Sequence, residues 1–407
     1  MITNGMPKTA GGRLEADVRS VHEYCQVIED RLSDESDNRV LVVLSAGPGA
    51  DALYGPALTR LFQQMGESNR RANVVLALNN GTRFPVHFDP PETETVFLKS
   101  APHQFAGMTA PVSRAEDGPD RLHTLFTSDS HEHTLHVLRQ PESPHSAGKI
   151  NALRDVFGML MHSCVVKGAV PRTALFMDAE SHFYRAPDSH LKAPDPDTNG
   201  LAVLLDSLEG MGAPHILGAK VRFCVYRTMT DAQERLPDFD MPISDLHVAN
   251  NWAHGRLKHR YFSGGAIAGR TGPLLALGQT VAKYPGLRSE DSAEVLLAQQ
   301  AGIRWGMDTD VLYTNSCPPA SDREKTLEQL ARWGHGRKAL LELYGVRNLE
   351  GYSRFERFAG ALNDLLYLVR HPSHALWVLQ DKRDVREAMK LYPDEHPLDG
   401  PAGWTAA

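Results

Sequence analysis

The sequence predicts an α/β protein: a Rossmann-like, mostly parallel sheet flanked by helices, with a helical C-terminal part. Three observations predict it. Arg39–Ser45 (RVLVVLS) and Asn73–Leu78 (NVVLAL) are unbroken apolar runs, the pattern of strands buried on both faces. Leu53–Met65 between them reads as a helix, and strand, helix, strand at this spacing is a βαβ unit, which implies parallel pairing. Thr173–Met177 (TALFM) repeats the buried-strand pattern and ends at Asp178.

In chain order, Leu14–Leu32 opens with an amphipathic helix carrying Val18, Val21, Cys25, Ile28 and Leu32 near one face. After the βαβ unit, Thr82–Glu142 reads as a long connection with one or two strands, of which Thr134–Leu138 is the clearest. Lys149–Val166 reads as a helix, Val221–Arg227 as a strand and Asp245–Arg260 as a helix. Ser263–Arg270 reads as a Gly-rich loop, Asp291–Ala301 as a helix and Val311–Thr314 as a strand. From Thr326 the chain is mainly helical, and Phe355, Phe358, Leu362, Leu365 and Leu366 are expected to pack inward. The alternative for that stripe is an amphipathic surface that docks on a membrane. The division is 1–36 as N-terminal tail and helix, 37–320 as the α/β domain and 321–407 as the helical C-terminal region.

Composition narrows the class. With 407 residues the chain can bury a full core, and a formal charge of -7 argues against a nucleic-acid binder. Four scattered cysteines form no C-x-x-C pair, which suggests reduced thiols rather than a disulfide frame. Met1–Arg13 is polar and no run approaches the ~20 apolar residues of a membrane span. The expectation is a cytoplasmic protein without a transmembrane anchor, with peripheral membrane contact and homo-oligomerisation left open.

Several motifs could carry chemistry. Gly47-Pro48-Gly49-Ala50-Asp51-Ala52 follows the first strand and fits G-x-G-x-x-A. That fingerprint wants an acidic residue after the second strand, where this chain has Asn79-Asn80-Gly81, and Pro48 removes an amide donor. A glycine turn beside a nucleotide site fits better than a dehydrogenase. Asp178 and Glu180, two residues apart past a buried strand, can share a hard divalent cation that also grips phosphate oxygens; the bland alternative is an acidic turn. Gly148-Lys149 opens a helix whose free N–H groups favour an anion. Ser289-Glu290-Asp291 opens another, where Ser289 suits an N-cap and an ionised Asp291 suits a general base. Gln329, Arg332 and Trp333 share one helix face, offering an amide, a guanidinium fork and an indole, or else an interdomain contact. His131, His133 and His136 read as solvated surface, and His182 as an exposed histidine.

Taken in order, Gly148-Lys149, Asp178-x-Glu180, Ser263-Gly264-Gly265, Glu290-Asp291 and Gln329-x-x-Arg332-Trp333 resemble the GT-A glycosyltransferases. The set is similar to family 2, the group of cellulose, chitin and hyaluronan synthases, from about Val40 to Gly336. The resemblance implies that residues 37–320 form a GT-A catalytic domain and that Mg²⁺ or Mn²⁺ is held by Asp178 and Glu180. It implies a nucleotide-sugar donor bound through Ser45, Ala46, Gly47, Asn79, Asn80, Lys149, Asp178, Ala179 and Arg332. It implies a small-molecule acceptor bordered by Gly264, Gly265, Gln329 and Trp333, with Asp291 as base and Glu290 beside it. Three features depart from the family: the first strand ends Ser45-Ala46-Gly47-Pro48-Gly49, the second ends Asn79-Asn80-Gly81-Thr82, and no membrane helices are expected. A sugar-nucleotide nucleotidyltransferase and a non-catalytic sugar-nucleotide-binding relative are the competing expectations.

Overall fold

A computed structural model describes residues 10–34, 37–47, 50, 53–78, 108–109, 114–116, 122–128, 133–139, 156, 170–187, 192–210, 212–228, 235–244, 247–248, 265–284, 287, 289–346, 362, 365–366, 369 and 372–393. Helix α1 (Ala10–Glu29) leads into β1 (Arg39–Ala46), α2 (Tyr54–Glu67) and β2 (Arg71–Leu78). The connection after β2 holds β3 (Met108–Thr109), β4 (Arg114–Glu116), β5 (Leu122–Ser128) and β6 (Thr134–Arg139). Next come β7 (Thr173–Asp178), β8 (Phe183–Arg185), α3 (Gly200–Asp206), β9 (Ile216–Thr228) and β10 (Arg235–Asp238). The chain continues with β11 (Ala266–Arg270), α4 (Thr271–Val281), α5 (Glu290–Gln300), β12 (Trp305–Ser316), α6 (Arg323–Tyr344) and α7 (Pro372–Leu391).

The central sheet is mostly parallel and is flanked by helices. Its order is β3-β5-β6-β2-β1-β7-β11-β9-β12-β8. Strands β6, β2, β1 and β7 pair in parallel. Strand β11 is antiparallel to both β7 and β9, so β9 and its parallel neighbour β12 point the same way as β7. Strands β6, β2, β1, β7, β9 and β12 therefore send their carboxyl ends to one edge, where ligands of open α/β sheets collect.

Alternation along each buried strand feeds two cores. In β1, Val40, Val42 and Leu44 face a layer built on Leu58 and Leu61 of α2 and Leu201 and Leu204 of α3. Leu41 and Val43 face the opposite layer, where Val21 and Ile28 of α1 meet Leu274 of α4, Leu297 of α5 and Leu340 of α6. This double burial is why the strand sequences are continuous apolar runs and not alternating ones. Helix α1 is bound by charge as well. Asp17, buried, accepts hydrogen bonds from Tyr284 (2.7 Å), Tyr344 (3.0 Å) and Lys283 (3.2 Å).

Several expectations are corrected here. The stretch Ser263–Arg270, read as a loop, instead supplies β11, a strand in the middle of the sheet. Its small residues are what central packing requires: a Cβ on Gly269 would lie 2.8 Å from the His215 carbonyl oxygen. The described residues of the connection 82–142 form four strands, not one or two, and Val221–Arg227 is the latter part of a longer β9. His133 and His136 are buried: His133 Nδ1 accepts from the Ala72 amide at 3.0 Å, and its ring stacks on Phe62. His182 is buried too. Leu362, Leu365 and Leu366, expected inside, are exposed; Phe355 and Phe358 lie outside the described residues. The helix expected at Lys149–Val166 lies outside them apart from Val156, and Asp245–Arg260 apart from His247 and Val248, all three helical. No helix among the described residues is long and apolar enough to cross a membrane.

Candidate active site at the carboxyl edge of the sheet

Asp178 is the last residue of β7 and lies in register with Ser45 near the end of β1. Ser45 Oγ donates to Asp178 Oδ1 at 3.4 Å, and the Asp178 amide donates to the Gly265 carbonyl at 2.9 Å. The chain then turns: Ala179 tucks into the core while Asp178 and Glu180 remain half-buried on either side of it. Ser316 Oγ, at the end of β12, donates to Glu180 Oε1 at 3.2 Å.

Hydroxyl groups hold this turn. Thr314 Oγ1 donates to the Glu180 carbonyl at 3.1 Å and accepts from the His182 amide at 3.0 Å. The Tyr226 hydroxyl contacts the same carbonyl and lies 2.8 Å from Thr314 Oγ1. Ser181 Oγ donates to the Gly265 carbonyl at 2.7 Å. The carboxylate pair is thus fixed by four strand ends, the kind of rigid support that positions a binding group.

The turn is bonded to Gly265 at the N-terminal end of β11, and there Gly265 has a structural duty. A Cβ at this position would lie 2.5 Å from Cε2 of Tyr313, whose ring is fully buried. Gly265→Ala is expected to lose about 1–3 kcal/mol of stability by overpacking. Chemical unfolding checks this, and an unchanged midpoint would show that the ring yields freely.

On α6, Gln329 and Trp333 are brought together by a residue the sequence reading missed. His247 is fully buried; its Nε2 meets Gln329 Oε1 at 3.0 Å and its Nδ1 meets Ser244 Oγ at 2.8 Å. With Gln329 accepting, the neutral ring carries its proton on Nε2 and Nδ1 accepts from Ser244. Trp333 stands edge-on to His247, ring centroids 6.2 Å apart, and 5.7 Å from Phe223 of β9. Burial pushes the His247 pKa down to about 4, with the Gln329 hydrogen bond opposing. Burial, reinforced by the Arg60 guanidinium, pushes His182 down to about 3. A histidine far along the chain, paired with no motif, leaves no local signal that it will meet the Gln-x-x-Arg-Trp face.

The remaining expected residues fall as follows. Ala46 is buried at the end of β1, and Gly47 faces open space. Arg332 is half-buried on α6. Glu290 and Asp291 form the first turn of α5, where Asp291 Oδ1 accepts from the Ser292 amide at 2.7 Å. Ser289 is the N-cap residue, but its side chain makes no capping hydrogen bond. Helix α4 leaves the amino edge of the sheet after Arg270, and α5 returns to it before Trp305. The start of α5, with Glu290 and Asp291, therefore lies at the carboxyl-edge end of that layer. Gly334 lets α7 approach: a Cβ there would lie 2.7 Å from Met389 Sδ. Asn79, Asn80, Lys149 and Gly264 lie outside the described residues.

Among the described residues, no group of three or more His, Cys, Asp or Glu side chains is placed to hold a metal. Asp178 and Glu180 carry hard oxygen donors, and a hexacoordinate Mg²⁺ or Mn²⁺ held between them would need phosphate and water oxygens to complete its shell. No protein-family model matches the chain, and no curated protein matches it.

Proposed function

We propose that this protein is a metal-dependent, inverting glycosyltransferase of GT-A fold that moves a sugar from a nucleotide diphosphate, UDP for preference, to a small acceptor hydroxyl. The observation that carries the reading is the carboxylate pair Asp178 and Glu180. It sits at the carboxyl edge of a mostly parallel sheet and is held by Ser45, Thr314, Ser316 and Tyr226. The face of α6 bearing Gln329 and Trp333 is anchored through His247 to Phe223 of β9, whose end lies at the same edge.

In this reading Asp178 and Glu180 hold Mg²⁺ or Mn²⁺. The bound ion would supply positive charge against the departing diphosphate. Ser45, Ala46 and Gly47 line the donor side, with Asn79 and Asn80 reading the base and Lys149 and Arg332 facing phosphate. Asp291 takes the proton of the acceptor hydroxyl as its oxygen attacks the anomeric carbon and the bond to the diphosphate breaks. A single displacement inverts that carbon.

UDP release from UDP-sugars, measured with and without Mn²⁺ and a panel of small alcohols, tests the reading. Acceptor-dependent release that stops in excess chelator, and donor binding weakened by Glu180→Ala, are expected. Release of pyrophosphate from a nucleoside triphosphate and a sugar phosphate would instead identify a nucleotidyltransferase. Binding of a sugar nucleotide with no turnover would identify a non-catalytic relative.

A further inference from the structure

We propose that a cavity lined by Phe223, the ring that packs on Trp333, binds a small aromatic alcohol, and that this is the class of acceptor; the acceptor role rests on the glycosyltransferase reading. The cavity holds about 260 Å³ between β9 and the segment that follows β10. Its apolar wall is Phe223, Phe239, Met241, Pro242, Ile243 and Val248.

The wall is held in place before any ligand arrives. Phe223 is braced by His247, ring centroids 5.2 Å apart, and by Trp333 at 5.7 Å. Phe239 stands edge-on to Tyr184 at 5.9 Å, and Tyr184 is capped by the Arg60 guanidinium at 4.3 Å. The segment itself is tied to the start of α6: the Ala320 amide donates to the Pro242 carbonyl at 2.9 Å, and Ile243 bridges Pro319. Two fixed rings and a polarisable thioether make a preformed slot for another ring.

Size and polarity select among ligands. Pockets for drug-sized ligands hold about 300–1,000 Å³, so this smaller space suits a single ring and neither a glycan chain nor a long acyl chain. Among the described residues its charged wall members are Arg222 and Asp238, and Asp238 Oδ1 already accepts from the amides of Asp240 and Met241. A hexose would bring several hydroxyls against a mostly apolar wall, each costing about 1–3 kcal/mol if unpartnered. An aromatic alcohol brings one or two.

Position links the cavity to the carboxylates. Cys224 lines it and pairs across the β9–β12 ladder with Ser316, whose hydroxyl holds Glu180. A ring seated there lies beside the proposed donor site.

Saturation-transfer NMR on the full chain, with phenol and methyl α-glucoside as probes, tests this. Phenol should bind and methyl α-glucoside should not. Met241→Trp, at a side chain 41% exposed, should fill the space and weaken phenol by about tenfold or more. Met241→Glu, which sets a charge at the mouth, should weaken it similarly. Near-UV circular dichroism confirms that each variant is folded. Equal binding of both probes, or phenol affinity untouched in the folded variants, overturns the proposal. UDP binding with Mn²⁺, measured in parallel, separates the two readings. UDP binding without phenol binding overturns the aromatic acceptor and leaves the transferase standing. Phenol binding without UDP binding overturns the acceptor role and the transferase together.

Discussion

Asp291→Asn is expected to slow sugar transfer roughly 10²–10⁴-fold, the usual worth of a general base, while nucleotide and Mn²⁺ binding stay close to wild type. The substitution keeps the shape of the side chain, and its oxygen can still accept from the Ser292 amide as Asp291 does at 2.7 Å. What is lost is the negative charge and, with it, the ability to take a proton. Asp291 sits in the first turn of α5, where the helix dipole stabilises the carboxylate. The rival role is helix capping alone, which predicts a modest stability loss and near-normal turnover. Steady-state rates on protein shown to be folded decide between them. Wild-type turnover would remove the assignment and make Glu290, its neighbour, the next candidate.

Mild acid is expected to unfold the protein through its buried histidines. His182 and His247 have native pKa values pushed by burial to about 3 and about 4, against 6.5 for the free side chain. Both are neutral in the native state, and the unfolded chain takes up their protons first. Stability from keeping them neutral is fully present above about pH 6.5 and drains away as pH falls toward 4 and then 3. Each pKa unit is worth ~1.4 kcal/mol, so the two together reach several kcal/mol, a large part of a typical ~5–15 kcal/mol. Among the described residues His182 Nε2 has no hydrogen-bond partner, so nothing rewards its proton. Denaturant unfolding from pH 7 to 4 should show a steep loss. His247→Gln, which keeps an amide to meet Gln329, should flatten the curve; an unchanged slope would place the acid sensitivity elsewhere.

The parts of the fold that were legible in the sequence are those with one dominant local cause. Double burial makes β1, β2 and β7 unbroken apolar runs, and the helix between β1 and β2 follows from its length and spacing. Asp178 and Glu180 were legible as a potential binding pair because a strand end and two carboxylates coincide. Strand β11 was not, because its sequence of Ala, Ile, Ala, Gly and Arg follows glycines, and small residues serve loops and crowded sheet centres alike. His133, His136 and His182 read as surface because a histidine's burial depends on which distant backbone group or ring it meets. His247 meets Gln329 across 82 positions, a separation at which no periodicity operates. The leucines at 362, 365 and 366 have helical spacing, yet spacing says only that they share a face.

Asp17 bears on how the chain can be divided. Its carboxylate accepts from Lys283 and Tyr284 just past α4 and from Tyr344 at the end of α6. A fragment beginning at Arg39 would keep every strand among the described residues, yet would leave two phenolic hydroxyls in an apolar layer with that acceptor gone, at about 1–3 kcal/mol each. It would also bare the apolar flank that Val21 and Ile28 cover. Residues 10–29 thus act as a clasp across the rear of the molecule, reaching partners more than 260 positions further along the chain. Supplied separately as a peptide, they would have a preformed groove to return to.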